Sequence, residues 1–228
     1  KLAIPNHYKD YYKDIATFAI PVKESFITSD KKRPKITSTN PESDATILSS
    51  SDKEGLFRMP KKGWIQYEFN EPFLCKSIQI ETKGNNYQAH RLLIEVSDDG
   101  KNFRSLGRLT TPRHGWQDVD AFYTHSIVPT KAKYFRFVYD PEGTEPGAED
   151  LDPAKWNQGL KVSKIYLSNE PLIDNYEGKS GAIWRLSPQT TEKEINVADC
   201  IDPSKMINIS KFVDANGVLN WNASAKAN

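Results

Sequence analysis

The sequence predicts an all-β fold, an antiparallel sandwich of short strands. Three observations predict it. Apolar residues recur at period two, not 3.6, between residues 64 and 168. Turn residues separate the apolar runs at short intervals. Aromatic residues are abundant, with ten Tyr, ten Phe and five Trp in 228 residues, a composition that suits sheets and sugar-binding surfaces alike.

Taken in order, "PNHYKDYYKDIATFAIP" (5–21) reads either as the best helix of the chain or as the carrier of a strand, "IATFAI", that runs into Pro21. "TSDKKRPKITSTNPESDATILSSSDKEG" (28–55) is polar and turn-rich, a long entry loop with little regular structure. In "WIQYEF" (64–69), Ile65, Tyr67 and Phe69 share one face, while Gln66 and Glu68 take the other. Trp64, which begins this strand, is expected in the core. After a turn at "NEPF" (70–73), "SIQIET" (77–82) alternates through Ile78 and Ile80. "RLLIEVS" (91–97) puts Leu92, Ile94 and Val96 together. "YFRFVY" (134–139), apolar on both faces around Arg136, reads as a central strand, and "KVSKIYLS" (161–168) closes the series. Near the end, "KMINISKFVDANGVLNW" (205–221) reads as a hairpin turning at Asn216-Gly217.

"IEVSDDGKNFRSLG" (94–107) fixes a register. If Asp99-Gly100 is a two-residue loop, Val96 faces Phe103 and Ile94 faces Ser105, and Asp-Gly is favoured there because a type I′ turn needs positive φ at both central residues. A loop that starts at Ser97 keeps the hairpin with a looser pairing. A slip of one residue sends Leu92, Ile94 and Val96 to the wrong face.

The bulk numbers exclude several functions. Formal net charge is +1, from 31 basic and 30 acidic residues spread along the chain, so nucleic acid is not the expected partner. No apolar run approaches the roughly 20 residues of a membrane helix. Cys75 and Cys200 stand outside any zinc-type spacing and are read as two isolated thiols or one disulfide. No serine-nucleophile elbow, phosphate loop, zinc-protease helix or dinucleotide fingerprint occurs. Opening on Lys1, the chain is expected to be a piece of something longer.

"WIQYEFNEPFLCKSIQIET", "IEVSDDGKNFRSLG", "KYFRFVYD" and "VSKIYLS" together resemble the discoidin, or coagulation-factor C-type, branch of the galactose-binding-like jelly rolls. The likeness covers about residues 35–170 and implies a jelly-roll β-sandwich. "YYKDIATFAIP" (11–21) and "KMINISKFVDANGVLNWNA" (205–223) resemble segments of α-L-rhamnosidase-type glycoside hydrolases of family 106. The resemblance implies three parts: a flanking segment of a larger enzyme (1–30), the jelly roll (31–170) and a return segment with a C-terminal hairpin (171–228). It also implies export, to the periplasm or outside the cell. No residue here matches that family's catalytic carboxylates.

Strand parity locates a binding rim without the family. Successive antiparallel strands reverse direction, so their connections alternate between two poles. With Asp99-Gly100 at one pole, the turns at 70–73 and around Pro129 fall beside it. "GLFRMPKKG" (55–63), "KGNNYQAH" (83–90), "TTPRHGWQD" (110–118) and the acidic loop 140–159 fall at the other. That rim would carry Arg58, Tyr87, His90, Arg113, His114, Trp116 and Trp156. Sugar recognition needs an aromatic plate for the C–H face of a pyranose and planar donors for its hydroxyls, and Trp116 beside Arg113 and His114 supplies both. Each has a plainer role too: Trp116 as a plug in the mouth of the sandwich, His90 as a structural histidine, Tyr87 as a loop tip.

Asp140, Glu142, Glu145, Glu149, Asp150 and Asp152 invite a calcium reading, yet lack EF-hand spacing. The resemblance places a structural calcium in the entry loop instead, held largely by backbone carbonyls. That loop reads "ATILSSSDKEG" (45–55), without the family's Asp-Gly. The expected function is a non-catalytic carbohydrate-binding or accessory domain of a rhamnosidase-type hydrolase, with a plant or pectic, rhamnose-containing oligosaccharide as ligand. The alternatives are a structural buttress packed on the parent's catalytic domain, or a rim that lends residues to the parent's active-site cleft.

Overall fold

A computed structural model of the chain describes residues 15–21, 26–81, 92–109, 122–141, 159–180 and 197–222. Contacts divide the chain into two units, Ser25–Ile195 and a smaller one made of Lys1–Glu24 with Asn196–Asn228. In chain order the described elements are β1 (Phe18–Ala19), α1 (Ser29–Lys32), β2 (Lys35–Ser38), β3 (Phe57–Met59), β4 (Gly63–Glu81), β5 (Leu93–Ser97) and β6 (Arg104–Arg108). They continue as β7 (Phe122–Tyr139), β8 (Leu160–Val162), β9 (Lys164–Ser168), α2 (Tyr176–Lys179) and β10 (Ile207–Asn208). The fold is an all-β, antiparallel jelly-roll sandwich of the galactose-binding-like type.

Two long strands build the larger unit. The first half of β4 pairs with β2 and with Tyr134–Tyr139 of β7; its second half pairs with β9 and with Phe122–Ser126 of β7. Between the halves the register jumps twice, from Glu68 to Phe73 and from Cys75 to Ser77. The extra residues lie first on β4 and then on β7, and such bulges bend a strand pair. The 70–73 and Pro129 turns expected from the sequence are therefore bends inside continuous strands. Pro72 and Pro129 mark them because a residue without an N–H is tolerated where the ladder is already broken.

The bend folds the ribbon into two facing layers. Phe69 and Phe73, on either side of the first bulge, stack with ring centroids 4.6 Å apart. Across the sandwich the Tyr67 hydroxyl donates to the Ile165 carbonyl at 2.8 Å. Ile65, Tyr67, Ile78, Ile80, Leu92, Phe135, Phe137, Ile165 and Leu167 are all buried between the layers, as the period-two pattern requires. Trp64 departs from its expected place in the core. It shares the outer face with Gln66, where the Arg136 guanidinium lies 4.8 Å from the Trp64 ring and 3.5 Å from that of Phe103.

The entry loop holds more regular structure than expected: α1, the edge strand β2 and a 3-10 turn at Ala45–Ser49. Segment 161–168 divides at Ser163, whose N–H and hydroxyl both donate to the Glu81 carbonyl, at 2.8 and 3.0 Å. β8 then pairs with β3, and β9 with β4.

The hairpin between β5 and β6 takes the longer of its two forms. Val96 faces Arg104, Glu95 faces Ser105, and a bulge follows before Ile94 faces Gly107. The Ser97 hydroxyl and the Asp99 carboxylate organise the loop. Asp99 Oδ1 accepts from the backbone N–H of Lys101 and of Asn102, both at 2.8 Å, and from the Ser97 hydroxyl at 2.8 Å. Gly100 takes φ +73°, and a Cβ there would stand 3.0 Å from the Tyr134 ring. Only glycine meets both conditions without strain.

Beyond β7 the free edge of the second layer is closed by side chains. Glu177 on α2 accepts from the Thr124 N–H at 2.9 Å and from its hydroxyl at 2.6 Å, and Asp174 accepts from the Ser126 N–H at 2.8 Å. The Asn175 N–H donates to the Thr124 carbonyl at 2.8 Å. Carboxylates thus take the place of a neighbouring strand.

In the smaller unit β1 pairs antiparallel with β10, Phe18 opposite Asn208. The expected hairpin at Asn216-Gly217 is present as one bridge, Val213 to Leu219. Its turn rests on Asp214 Oδ1, which accepts from the Asn216 and Val218 N–H groups at 2.8 and 2.9 Å. Ile209 is buried here, whereas Ile15, Phe18, Ile20, Met206, Ile207, Val218 and Leu219 are exposed. Neither Cys75, which is buried, nor Cys200, which is exposed, is in a disulfide.

Candidate functional site

One end of the larger unit gathers the roots of three long connections. In the first layer the strands end at Gly63 opposite Tyr139, and at Leu93 opposite both Val138 and Arg108. The Leu109 N–H continues that ladder to the Leu92 carbonyl at 2.9 Å. In the second layer Glu81 faces Phe122 and Lys164. The β3–β8 pair joins the two layers at this end: Met59 faces Leu160 and approaches Gly63 at the top of β4. A Cβ on Gly63 would meet the Met59 sulfur at 2.9 Å. Residues 81 and 92, 109 and 122, and 141 and 159 therefore leave and re-enter the sandwich at one pole. The Asp99-Gly100 turn, reached through Ser97 opposite Tyr134, lies at the other.

The described part of this pole holds an open cavity of about 270 Å³ whose lining mixes polar side chains with Met59, Pro60 and Leu160. Arg58 and Lys161, cross-strand partners, form one wall, and Asn40, Glu42 and Ser43 form the other. The wall is built by local chemistry. Asn40 Nδ2 donates to the Arg58 carbonyl at 2.6 Å, and the Arg58 N–H donates to the Ser43 hydroxyl at 2.9 Å. Partial burial lowers the Lys161 pKa, and the neighbouring Arg58 charge lowers it further. Burial, with the nearby Asp140 charge, pushes the Tyr139 hydroxyl up to about 12. Asp140, first of the acidic run, pairs with Lys62 at 2.6 Å. A second cavity, polar and of about 320 Å³, lies on the flank between Asp30, Arg33, Thr46 and Asp52.

Tyr87, His90, Arg113, His114, Trp116 and Trp156, the candidate sugar contacts, lie outside the described residues, as do Glu142, Glu145, Glu149, Asp150 and Asp152. Of the expected rim, Arg58 is described and lines the cavity. Lys161, Asn40, Glu42 and Ser43 were not foreseen, because the pairing of β3 with β8 joins residues distant in sequence and leaves no local pattern.

Three carbonyls of the entry loop, where the resemblance would put a calcium, have another occupant. The Lys164 ammonium donates to the carbonyls of Ile47 at 3.0 Å, of Ser50 at 2.5 Å and of Lys53. Lys164 is only 9% exposed. Asp44 serves the loop itself: its carboxylate accepts from the Thr46 N–H and hydroxyl at 2.9 and 2.7 Å, which lowers its pKa, with smaller help from Lys53. Among the described residues no three His, Cys, Asp or Glu side chains converge on a metal-sized site. The entry loop does not fit calcium, which takes six to eight oxygens at about 2.3–2.6 Å.

The architecture and this pole define a galactose-binding-like β-sandwich with a loop rim at one end. No family profile and no curated protein matches the sequence. Solved structures share the fold. A rhamnosidase from Novosphingobium sp. PP1Y is similar over 83% of this chain and 16% of its own, with 18% identity and a TM-score of 0.50. The chain thus spans about one sixth of that enzyme. The Clostridium perfringens module CpGH89CBM32-5, solved with GalNAc-β-1,3-galactose, is similar over 62% of this chain and 99% of its own, at 15% identity and TM-score 0.46. The family 32 carbohydrate-binding module of C. perfringens NanJ, solved with galactose, is similar over 63% and 98%, at 10% identity and TM-score 0.45. Among the described residues no helix is long and apolar enough to cross a membrane.

Proposed function

We propose that this chain is a non-catalytic carbohydrate-binding domain, an accessory part of an exported α-L-rhamnosidase-type hydrolase, and that its ligand is a plant or pectic oligosaccharide. In this reading the jelly roll is inserted between two pieces of the parent's framework. The observation that carries it is the convergence of roots. Three long connections leave one pole of a rigid sandwich beside a cavity whose lining includes Arg58, Asn40, Ser43 and Lys161, and the tight turn lies at the other. Rigid scaffolds that present long loops at one end are where binding residues concentrate. A fold shared with part of a rhamnosidase supports the setting. Binding would be weak, because an open surface gains mainly from one aromatic plate and a few hydrogen bonds.

The test is calorimetry of the chain against rhamnose-containing pectic oligosaccharides, with Trp116→Ala and Arg58→Ala alongside. Dissociation constants of about 0.1–1 mM are expected, weakened roughly tenfold by Trp116→Ala, a loss of about 1.4 kcal/mol. If the wild-type chain leaves every oligosaccharide unbound, the sugar reading fails and the buttress stands.

The buttress reading has one observation in its favour. The smaller unit exposes a set of apolar side chains, among them Ile15 at 96% and Phe18 at 50%. Apolar surface on the flanking segments is what packing against a larger enzyme body requires. This property belongs to the smaller unit, and sugar binding is proposed for the pole of the larger one.

A further inference from the structure

We propose that Lys164 is the built-in structural cation of the entry loop, so that the loop at 45–53 folds around an ammonium and the domain needs no calcium there. The inference rests on coordination, independently of sugar binding. An ammonium has three N–H donors and no acceptor. The carbonyls of Ile47, Ser50 and Lys53 supply three acceptors from one loop, and all three converge on one nitrogen. Lys164 belongs to the central part of the domain, since β9 pairs with β4 and Lys164 faces Glu81. The stem therefore starts from a fixed point, and the loop wraps onto its end.

The arrangement is that of a cation site with its cation attached by a covalent stem. The Ile47 carbonyl also accepts from the Ser50 N–H at 3.4 Å, which closes the 3-10 turn Ala45–Ser49; the Ser50 carbonyl follows that turn, where C-terminal carbonyls lack intrahelical partners. A buried carbonyl without a partner is costly, and a positive charge is the strongest donor available to it. A free ion would serve the same carbonyls only by displacing the ammonium, which would then lose these three acceptors while buried. Ammonium and metal ion are thus mutually exclusive here. The loop leads directly into β3, which carries Arg58 to the cavity, so the rim inherits a support that chelators cannot remove.

The experiment compares thermal unfolding of the wild-type chain, Lys164→Met and Lys164→Ala, each in EDTA, in calcium chloride and in methylammonium chloride. The wild-type midpoint is expected to be the same in EDTA and in calcium chloride. Lys164→Met, which keeps the stem and loses the donors, is expected to melt at least about 5 °C lower. Lys164→Ala is expected to fall further and to recover part of the loss in methylammonium chloride. Acetylation of the native wild-type chain, read by mass spectrometry, provides a measure that needs no variant. Lys164 should react at least about tenfold more slowly than the exposed Lys62. A saturable rise of the wild-type midpoint with calcium overturns the proposal, as do wild-type stability in Lys164→Met or acetylation of Lys164 as fast as Lys62.

Discussion

At the scale of single residues, the loop after β5 shows how one side chain sets a turn. Asp99 is solvent-exposed, yet the N–H groups of Asn102 and Lys101, followed by the Asn102 and Ser97 side chains, hold its carboxyl far below the ordinary 3.8. A depressed carboxyl contributes stability that is present above its unfolded value and is lost as pH falls toward the folded one. The stability difference between wild type and Asp99→Asn is therefore expected to be constant from neutral pH down to about 5. It should then shrink as acid denaturation is followed below about pH 4. A difference independent of pH would show that the carboxylate charge is not what holds the loop. Gly100→Ala is expected to cost about 1–3 kcal/mol in urea denaturation, from the positive φ and the clash with Tyr134. Thiol reactivity separates the two cysteines. Burial pushes the Cys75 thiol up to about 12, so it should resist thiol reagents until the chain unfolds, while exposed Cys200 reacts at once.

At the scale of elements, the account turns on strand edges and bends. The Thr124 N–H, which an open edge would leave to water or to another chain, is held by Glu177. Glu177→Ala is expected to lower stability by about 1–3 kcal/mol and to raise the exchange rate of the Thr124 amide, measured by NMR. Exchange unchanged in the variant would assign the edge's protection to α2 packing alone. What the sequence revealed and concealed also divides at this scale. The alternation through Ile65, Tyr67 and Phe69, through Ile78 and Ile80, and through Leu92, Ile94 and Val96 was legible because one face of each strand is buried. The bends were read as turns because Pro72 and Pro129 signal broken ladders without saying whether the chain reverses. The two-residue form of the 94–107 hairpin is displaced by one residue at Val96 and by two at Ile94, since Asp99 gathers the N–H groups of Lys101 and Asn102 and enlarges the loop. Trp64 was misassigned because the partner that draws it to the outer face, Arg136, comes from a strand far along the chain.

At the scale of the whole molecule, a folded ribbon explains why one pole is rich and the other plain. β4 and β7 bend together, so their four ends return to the same side, and the connections they anchor must start there. The placement of the roots was legible through parity alone, although two of the counted turns proved to be bends, because folding a strand pair reverses direction as a turn does. The cavity was not legible, since Arg58 and Lys161 meet only through β3 and β8. Nor was the Lys164 cage, because its acceptors are backbone carbonyls and carry no side-chain signature. The central claim is that sugar is held at this pole. It is tested most directly by following backbone amide shifts of the chain during titration with a rhamnose-containing pectic oligosaccharide. The account predicts saturable shifts at Arg58, Leu92, Leu109, Phe122 and Lys161, with Ser97–Asn102 unmoved. Shifts centred on Ser97–Asn102, or none at all, would contradict it.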